Sequence, residues 1–238
     1  MKRFYKETSV DAGDGGHRIL LDGKPMRTPA KAVLVVPTRA LAEAIAVEWR
    51  EVPDKADINV SHLPLTRLAA TGLDRVTTQR GRVIDDTAKY AGSDMLCYRA
   101  GEPETLVKRQ QAIWQPLLDW AATRYGARLV IAEGLAFVSQ PHDAVARLQA
   151  AVAAHSDFGL SALYNLTHIS GSLVVALAVS EGHLAAPDAF AAAQLDELYQ
   201  IERWGEDPIS TKRHEGIRHD IAASARFLAL LEAQRLKG

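Results

Sequence analysis

The chain has 238 residues, and its 28 Lys and Arg nearly cancel its 29 Asp and Glu to leave a formal net charge of −1. With 47% hydrophobic and 24% charged residues, this composition excludes a disordered chain and argues against a nucleic-acid partner, which would call for a basic face. Its one cysteine, Cys97 in Met95-Leu96-Cys97-Tyr98, cannot close an internal disulfide; it is expected to be a small buried hydrophobe in a reducing compartment.

The first seven residues run directly into strand-like sequence, with no apolar signal core and no Arg- and Ser-rich leader, so a cytoplasmic chain is expected. Short strands are predicted from residue 4 to about residue 36. Gly13-Asp14-Gly15-Gly16 marks one turn, and Asp22-Gly23 marks a two-residue hairpin turn that requires positive φ and pairs residues 17–21 with 24–28. Val33-Leu34-Val35-Val36, closed by Pro37, adds a further strand. Thr38 then stands where an N-cap belongs, and Leu41, Ile45 and Trp49 share one helix face that should lie on the sheet. Residues 53–63, ended by Pro64, read as the passage into a second domain.

Beyond residue 65 the pattern is helical, over 65–79, 81–91, 103–125, 141–155, 158–181, 187–204 and 208–234, with one short strand predicted at 128–132. Pro or Asp in several first turns suits the amide-rich, positive end of a helix. The strongest apolar run, residues 173–179, falls far short of the roughly 20 residues that cross a bilayer; no membrane insertion is expected. The predicted class is α+β, with a mainly β domain carrying one helix over 1–60 and a larger all-helical domain over 61–238.

Tests for chemistry come out negative. His214 and His219 stand five apart, about 140° around a helix, and cannot grip one metal ion from one helix. Gly13-Asp14-Gly15-Gly16 lacks a Walker lysine, and Ser170-Gly171-Ser172 lacks the nucleophile-elbow frame and reads as small residues inside an apolar helix. Asn59-Val60-Ser61 and Asn165-Leu166-Thr167 match the glycosylation pattern by chance. No catalytic residue, metal, cofactor or small-molecule substrate is expected. A hydrolase using Asp94 with His62 or Glu133 is the weakest rival, since no nucleophile–base pair is legible.

The helix predicted over 187–204 is chemically odd. Phe190, Ala193, Glu197, Ile201 and Trp204 fall on one stripe, and Leu195, Leu198, Tyr199 and Glu202 on another, with Asp196 between them as the best hydrated acid. Two apolar stripes must both be covered. Either the helix is central to a bundle, or one stripe is open to a partner that the surrounding carboxylates orient.

The segment 195–205, LDELYQIERWG, closely resembles the C-terminal signature of the ATP synthase assembly factor 2 family, the chaperones of the alpha subunit of the catalytic sector. Leu21-Asp22-Gly23-Lys24-Pro25-Met26-Arg27-Thr28-Pro29 resembles the family's hairpin, and Ala46-Val47-Glu48-Trp49 its first helix. Leu63-Pro64-Leu65-Thr66-Arg67-Leu68-Ala69 and Asp94-Met95-Leu96-Cys97-Tyr98-Arg99 resemble its middle motifs, all in family order. The resemblance implies a small mainly β domain followed by a larger helical one. It implies a non-enzymatic chaperone that binds the free alpha subunit, prevents its aggregation and promotes assembly. It places chaperone action on Asp196, the first acid of the Leu-acid-acid motif; Glu197, Glu202, Trp204 and Glu206, in the same stretch of chain, are expected to be further partner-binding residues. Trp49 matches a family tryptophan and is either a partner contact or an anchor between helix and sheet. Family members in eukaryotes carry a mitochondrial leader, so a bacterial member is expected here. The alternative function is a scaffold or adaptor for another subunit of a membrane complex.

Overall fold

The computed structural model describes residues 2–134, 136–205 and 207–232. The fold is α+β, with its larger sheet near the N-terminus and helices through most of the remainder. Two compact units divide the chain. The first takes the chain up to Arg80 together with Ser156–Ala162 and the residues from Arg226; the second takes Gly81–His155 and Leu163–Ala225.

In the first unit, β1 (Thr8–Gly13) and β2 (Gly16–Leu21) pair antiparallel from Thr8↔Leu21 to Gly13↔Gly16. Asp22 and Gly23 turn the chain at φ 48 and 74 into β3 (Lys24–Pro25), as the Asp-Gly pair demands. β4 (Val35–Val36) also pairs with β2, through His17↔Val36. A Cβ on Gly16 would stand 2.3 Å from the Val36 carbonyl oxygen, so only glycine lets the two strands meet there. α1 (Arg39–Arg50) starts where the Thr38 hydroxyl accepts from the Leu41 amide at 3.1 Å, and its buried Leu41, Ile45 and Trp49 close the core that Ile19, Leu34 and Val36 form.

The first unit extends past residue 60 because α1 holds the next helix. α2 (Pro64–Thr71) has no side-chain cap of its own. Its free amides at Leu65 and Thr66 are taken by the Glu48 carboxylate at 2.7 and 2.9 Å. The Thr66 hydroxyl donates to Glu48 at 2.8 Å and accepts from the Trp49 indole at 3.0 Å. Two sequence motifs are thus one capping arrangement. The break predicted after residue 79 is present: α2 passes through a π turn (Gly72–Val76) into α3 (Thr77–Ala88), which is interrupted at Gln79, where the backbone leaves the helical region at φ −131 and ψ 32. Asp74 in that turn accepts from the Thr28 hydroxyl and the Ala30 amide, anchoring the loop after β3.

The second unit is organised by α4 (Glu104–Tyr125) and α7 (Leu173–Ser180), whose apolar run 173–179 is buried throughout. At about 1.5–3 kcal/mol for each large apolar side chain removed from water, this run contributes substantially to the unit's stability. α5 (His142–Ala153), α6 (Asp157–Ser170), α8 (Ala186–Ala193), α9 (Leu195–Trp204) and α10 (Pro208–Glu232) complete the helical order. Among the described residues no helix is long and apolar enough to cross a membrane.

The structure corrects three expectations. Residues 158–181 are not one helix: Gly171 adopts φ 70, and the Ser172 hydroxyl caps α7 by accepting from the Val175 amide at 3.0 Å. The small residues make a break and a cap, and do not lie inside one continuous apolar helix. Residues 187–204 are likewise two helices, parted at Gln194. The short strand lies at β6 (Ala132–Glu133), parallel to β5 (Tyr98–Arg99), because Val130 is satisfied instead by the Gln140 side chain at 2.7 and 2.9 Å.

Candidate functional site

α9 is held against its unit by one face. Leu195 and Tyr199 are buried, and the Tyr199 hydroxyl bonds the Thr105 hydroxyl at 2.6 Å. The guanidinium groups of Arg203 and Arg109 lie 4.7 and 5.4 Å from the centre of the Tyr199 ring. Gly205, at φ 87, ends the helix. Asp207 then caps α10, accepting from the Ile209 and Ser210 amides at 2.9 and 3.1 Å. A depression of about 280 Å³ opens beside this corner, lined by Ile201, Trp204, Arg213 and His214 among others. Trp204 is 76% exposed and Ile209 82% exposed, two large apolar side chains left in water close together in sequence.

The acids of α9 differ in what neutralises them. Glu197 accepts from Arg213 at 2.8 Å and from His214 at 2.9 Å. Burial acts to raise its pKa, and these hydrogen bonds override that and hold it below the usual carboxylate range. Glu202 is gripped by both arms of Arg109 at 2.8 Å, which lowers its pKa. Asp196 is exposed and bonds an uncharged group: it accepts from the Gln110 carboxamide at 2.8 Å. Its charge is therefore available to a cation from outside, whereas those of its neighbours are spent within the chain.

Gln110 is buried and serves three groups at once. Its Oε1 accepts from the Ala100 amide at 2.8 Å, its Nε2 donates to Asp196, and its backbone carbonyl accepts from Arg99 at 3.1 Å. Arg99 also donates to the Leu96 carbonyl at 2.7 Å. The backbone at Ala100 is thus joined to Asp196 by one buried side chain, and Arg99 is tied to the backbone of the same residue, Gln110. Gln110→Leu is expected to lower stability by about 1–3 kcal/mol, read from the urea midpoint, because it strips the Ala100 amide of its acceptor. An unchanged midpoint would show that water replaces the carboxamide.

The structure brings Asp196, Glu197, Glu202 and Trp204 together on α9. Glu206 lies outside the described residues. Trp49 belongs to the first unit, is 7% exposed, and spends its indole N–H on Thr66 and its carbonyl on the Tyr5 hydroxyl. The two continuous stripes expected over 187–204 do not form, because the break at Gln194 resets the helical phase. Leu195 and Tyr199 face inward while Trp204 faces water. Missing from the expected site were Arg109, Gln110 and Ile209. Ile209 could have been noticed as an apolar residue following a helix-starting proline; the other two are set by contacts about 90 residues away along the chain.

Several residues weighed for chemistry have structural places. Cys97 is buried, and burial together with the Asp94 charge pushes its thiol up to about 12. Asp94 is fully buried and accepts from the Leu96 and Val174 amides at 3.1 and 3.0 Å, tying its loop to the start of α7. His214 is buried against Phe190 and Glu197.

The family model described as ATP12 chaperone protein matches residues 2–122, just over half of the chain. The mitochondrial protein atp12 of Schizosaccharomyces pombe is 24% identical over 236 residues, spanning 94% of this chain and 81% of its own. Atp12 from Paracoccus denitrificans has a solved structure that matches with a TM-score of 0.90 at 40% identity, covering 97% of this chain and 98% of its own. Atu1473 from Agrobacterium tumefaciens matches with a TM-score of 0.89 at 41% identity, over 98% of this chain and 86% of its own. With the motifs in order and a shared fold at this identity, the chain belongs to the ATP12 chaperone family.

Proposed function

We propose that this chaperone binds the unassembled alpha subunit of the ATP synthase catalytic sector, keeps it from aggregating and promotes assembly, acting by binding alone in the bacterial cytoplasm. Family membership supports the chaperone role. The observation that carries the choice of surface is on α9 and the start of α10: a carboxylate without a cation among the described residues, Asp196, on the same helix as Trp204, with Ile209 just beyond. A subunit awaiting its ring exposes apolar interface that associates wrongly if left open. Trp204 and Ile209 supply apolar contact for such an interface, and Asp196 supplies orientation through a basic side chain of the partner.

The test is light scattering of purified alpha subunit with and without an equimolar amount of the protein, using an unrelated aggregating client as control. Suppression restricted to the alpha subunit is the expected result. Equal suppression of both clients would make the protein a general holdase, and no suppression would turn the search to another subunit of a membrane complex.

A further inference from the structure

We infer that a groove in the first unit, walled by the β2–β3 hairpin and α1, is a second docking site, and that it takes a client peptide segment carrying apolar side chains next to carboxylates. The groove holds about 410 Å³. Tyr5, Leu21, Met26 and Trp49 line it from buried positions, while Phe4, Lys24 and Arg27 line it from exposed ones. The hairpin residues 21–27 thereby acquire a role that the α9 surface does not use.

The polar groups of the inner wall are already engaged. The Tyr5 hydroxyl donates to the Trp49 carbonyl at 2.6 Å, and the Trp49 indole donates to Thr66 at 3.0 Å. Asp22 turns to the Lys6 and Glu7 amides at 2.9 and 2.8 Å, which lower its pKa. A polar small molecule would need converging donors or acceptors to orient it, and this wall offers apolar contact instead. The edge differs. Among the described residues neither Lys24 nor Arg27 has a carboxylate partner; Arg27 gives one N–H to the Lys31 carbonyl at 2.7 Å. Phe4, 62% exposed, leaves a large aromatic face in water at the same edge. Apolar wall and cationic edge together are complementary to an acidic, apolar segment of polypeptide.

The groove shares no residue with the α9 surface, and its test does not use the alpha subunit. The probe is a fluorescein-labelled peptide of Leu, Phe and Glu, titrated with the full chain and followed by fluorescence polarisation. Its Lys-for-Glu counterpart and oleate serve as comparisons. The acidic peptide is expected to bind and the basic one to fail. The Lys24→Glu/Arg27→Glu double variant should weaken binding about tenfold, since reversing two edge charges turns two attractions into repulsions. Phe4→Ser should weaken it by loss of apolar contact. All three positions are exposed, so thermal melts are expected to match the parent. Equal binding of both peptides, an unchanged affinity in the double variant, or binding of oleate without the acidic peptide would each overturn the proposal.

Discussion

Asp196→Lys is expected to abolish protection of the alpha subunit, with binding weakened about a hundredfold, while the chain stays folded. A charge reversal at a contact removes one attraction and adds one repulsion, and close charge pairs at interfaces are worth about 2–5 kcal/mol. The position is exposed, so a lysine ammonium can reach water without opening the unit. The substitution also deprives the Gln110 carboxamide of its acceptor, and a melting temperature lowered by a few degrees would reflect this. Asp196→Asn separates the two effects, since it keeps an oxygen for Gln110 and removes the charge. If the asparagine variant protects the subunit as well as the parent, the carboxylate charge is not the determinant.

Asp94→Leu is expected to lower stability by about 3 kcal/mol or more. The carboxylate is wholly buried and satisfies the Leu96 and Val174 amides, and a buried amide left without an acceptor costs about 1–3 kcal/mol. Equilibrium urea unfolding reads the loss directly, and a loss below about 1 kcal/mol would mean that the loop re-forms around the leucine. Asp94 also confers a pH dependence. Burial pushes its carboxyl from 3.8 up to about 6, above its value in the unfolded chain. The folded state therefore holds the proton more tightly, and the contribution of Asp94 is fully present below about pH 4 and is lost as pH rises toward about 6. Relative to Asp94→Asn, the parent should lose stability across that window and run parallel above it. Parallel curves throughout would remove Asp94 as the source.

Much of the first unit was legible because its signals are local. Asp22-Gly23 demands its hairpin, Thr38 marks a helix start, and Leu41, Ile45 and Trp49 repeat with the helical period. Helix breaks were less legible. The run 158–181 is largely apolar, and periodicity does not register that Gly171 turns left-handed while Ser172 caps α7. The same holds at Gln194, where an ordinary helix former ends α8.

The acids near the end of the chain show where local signals stop. Asp196, Glu197 and Glu202 are three carboxylates within seven positions, and an isolated helix would leave all of them equally hydrated. Which acids are neutralised depends on α4 bringing Arg109 to Glu202 and Gln110 to Asp196, and on α10 bringing Arg213 and His214 to Glu197. Spacing along the chain dictates which residues share a turn, a strand face or a helix face, because those geometries repeat over a few residues. Which charge remains for a partner is decided by tertiary contacts, because Coulomb and hydrogen-bond energies fall off over a few ångströms of space, whatever the distance in sequence.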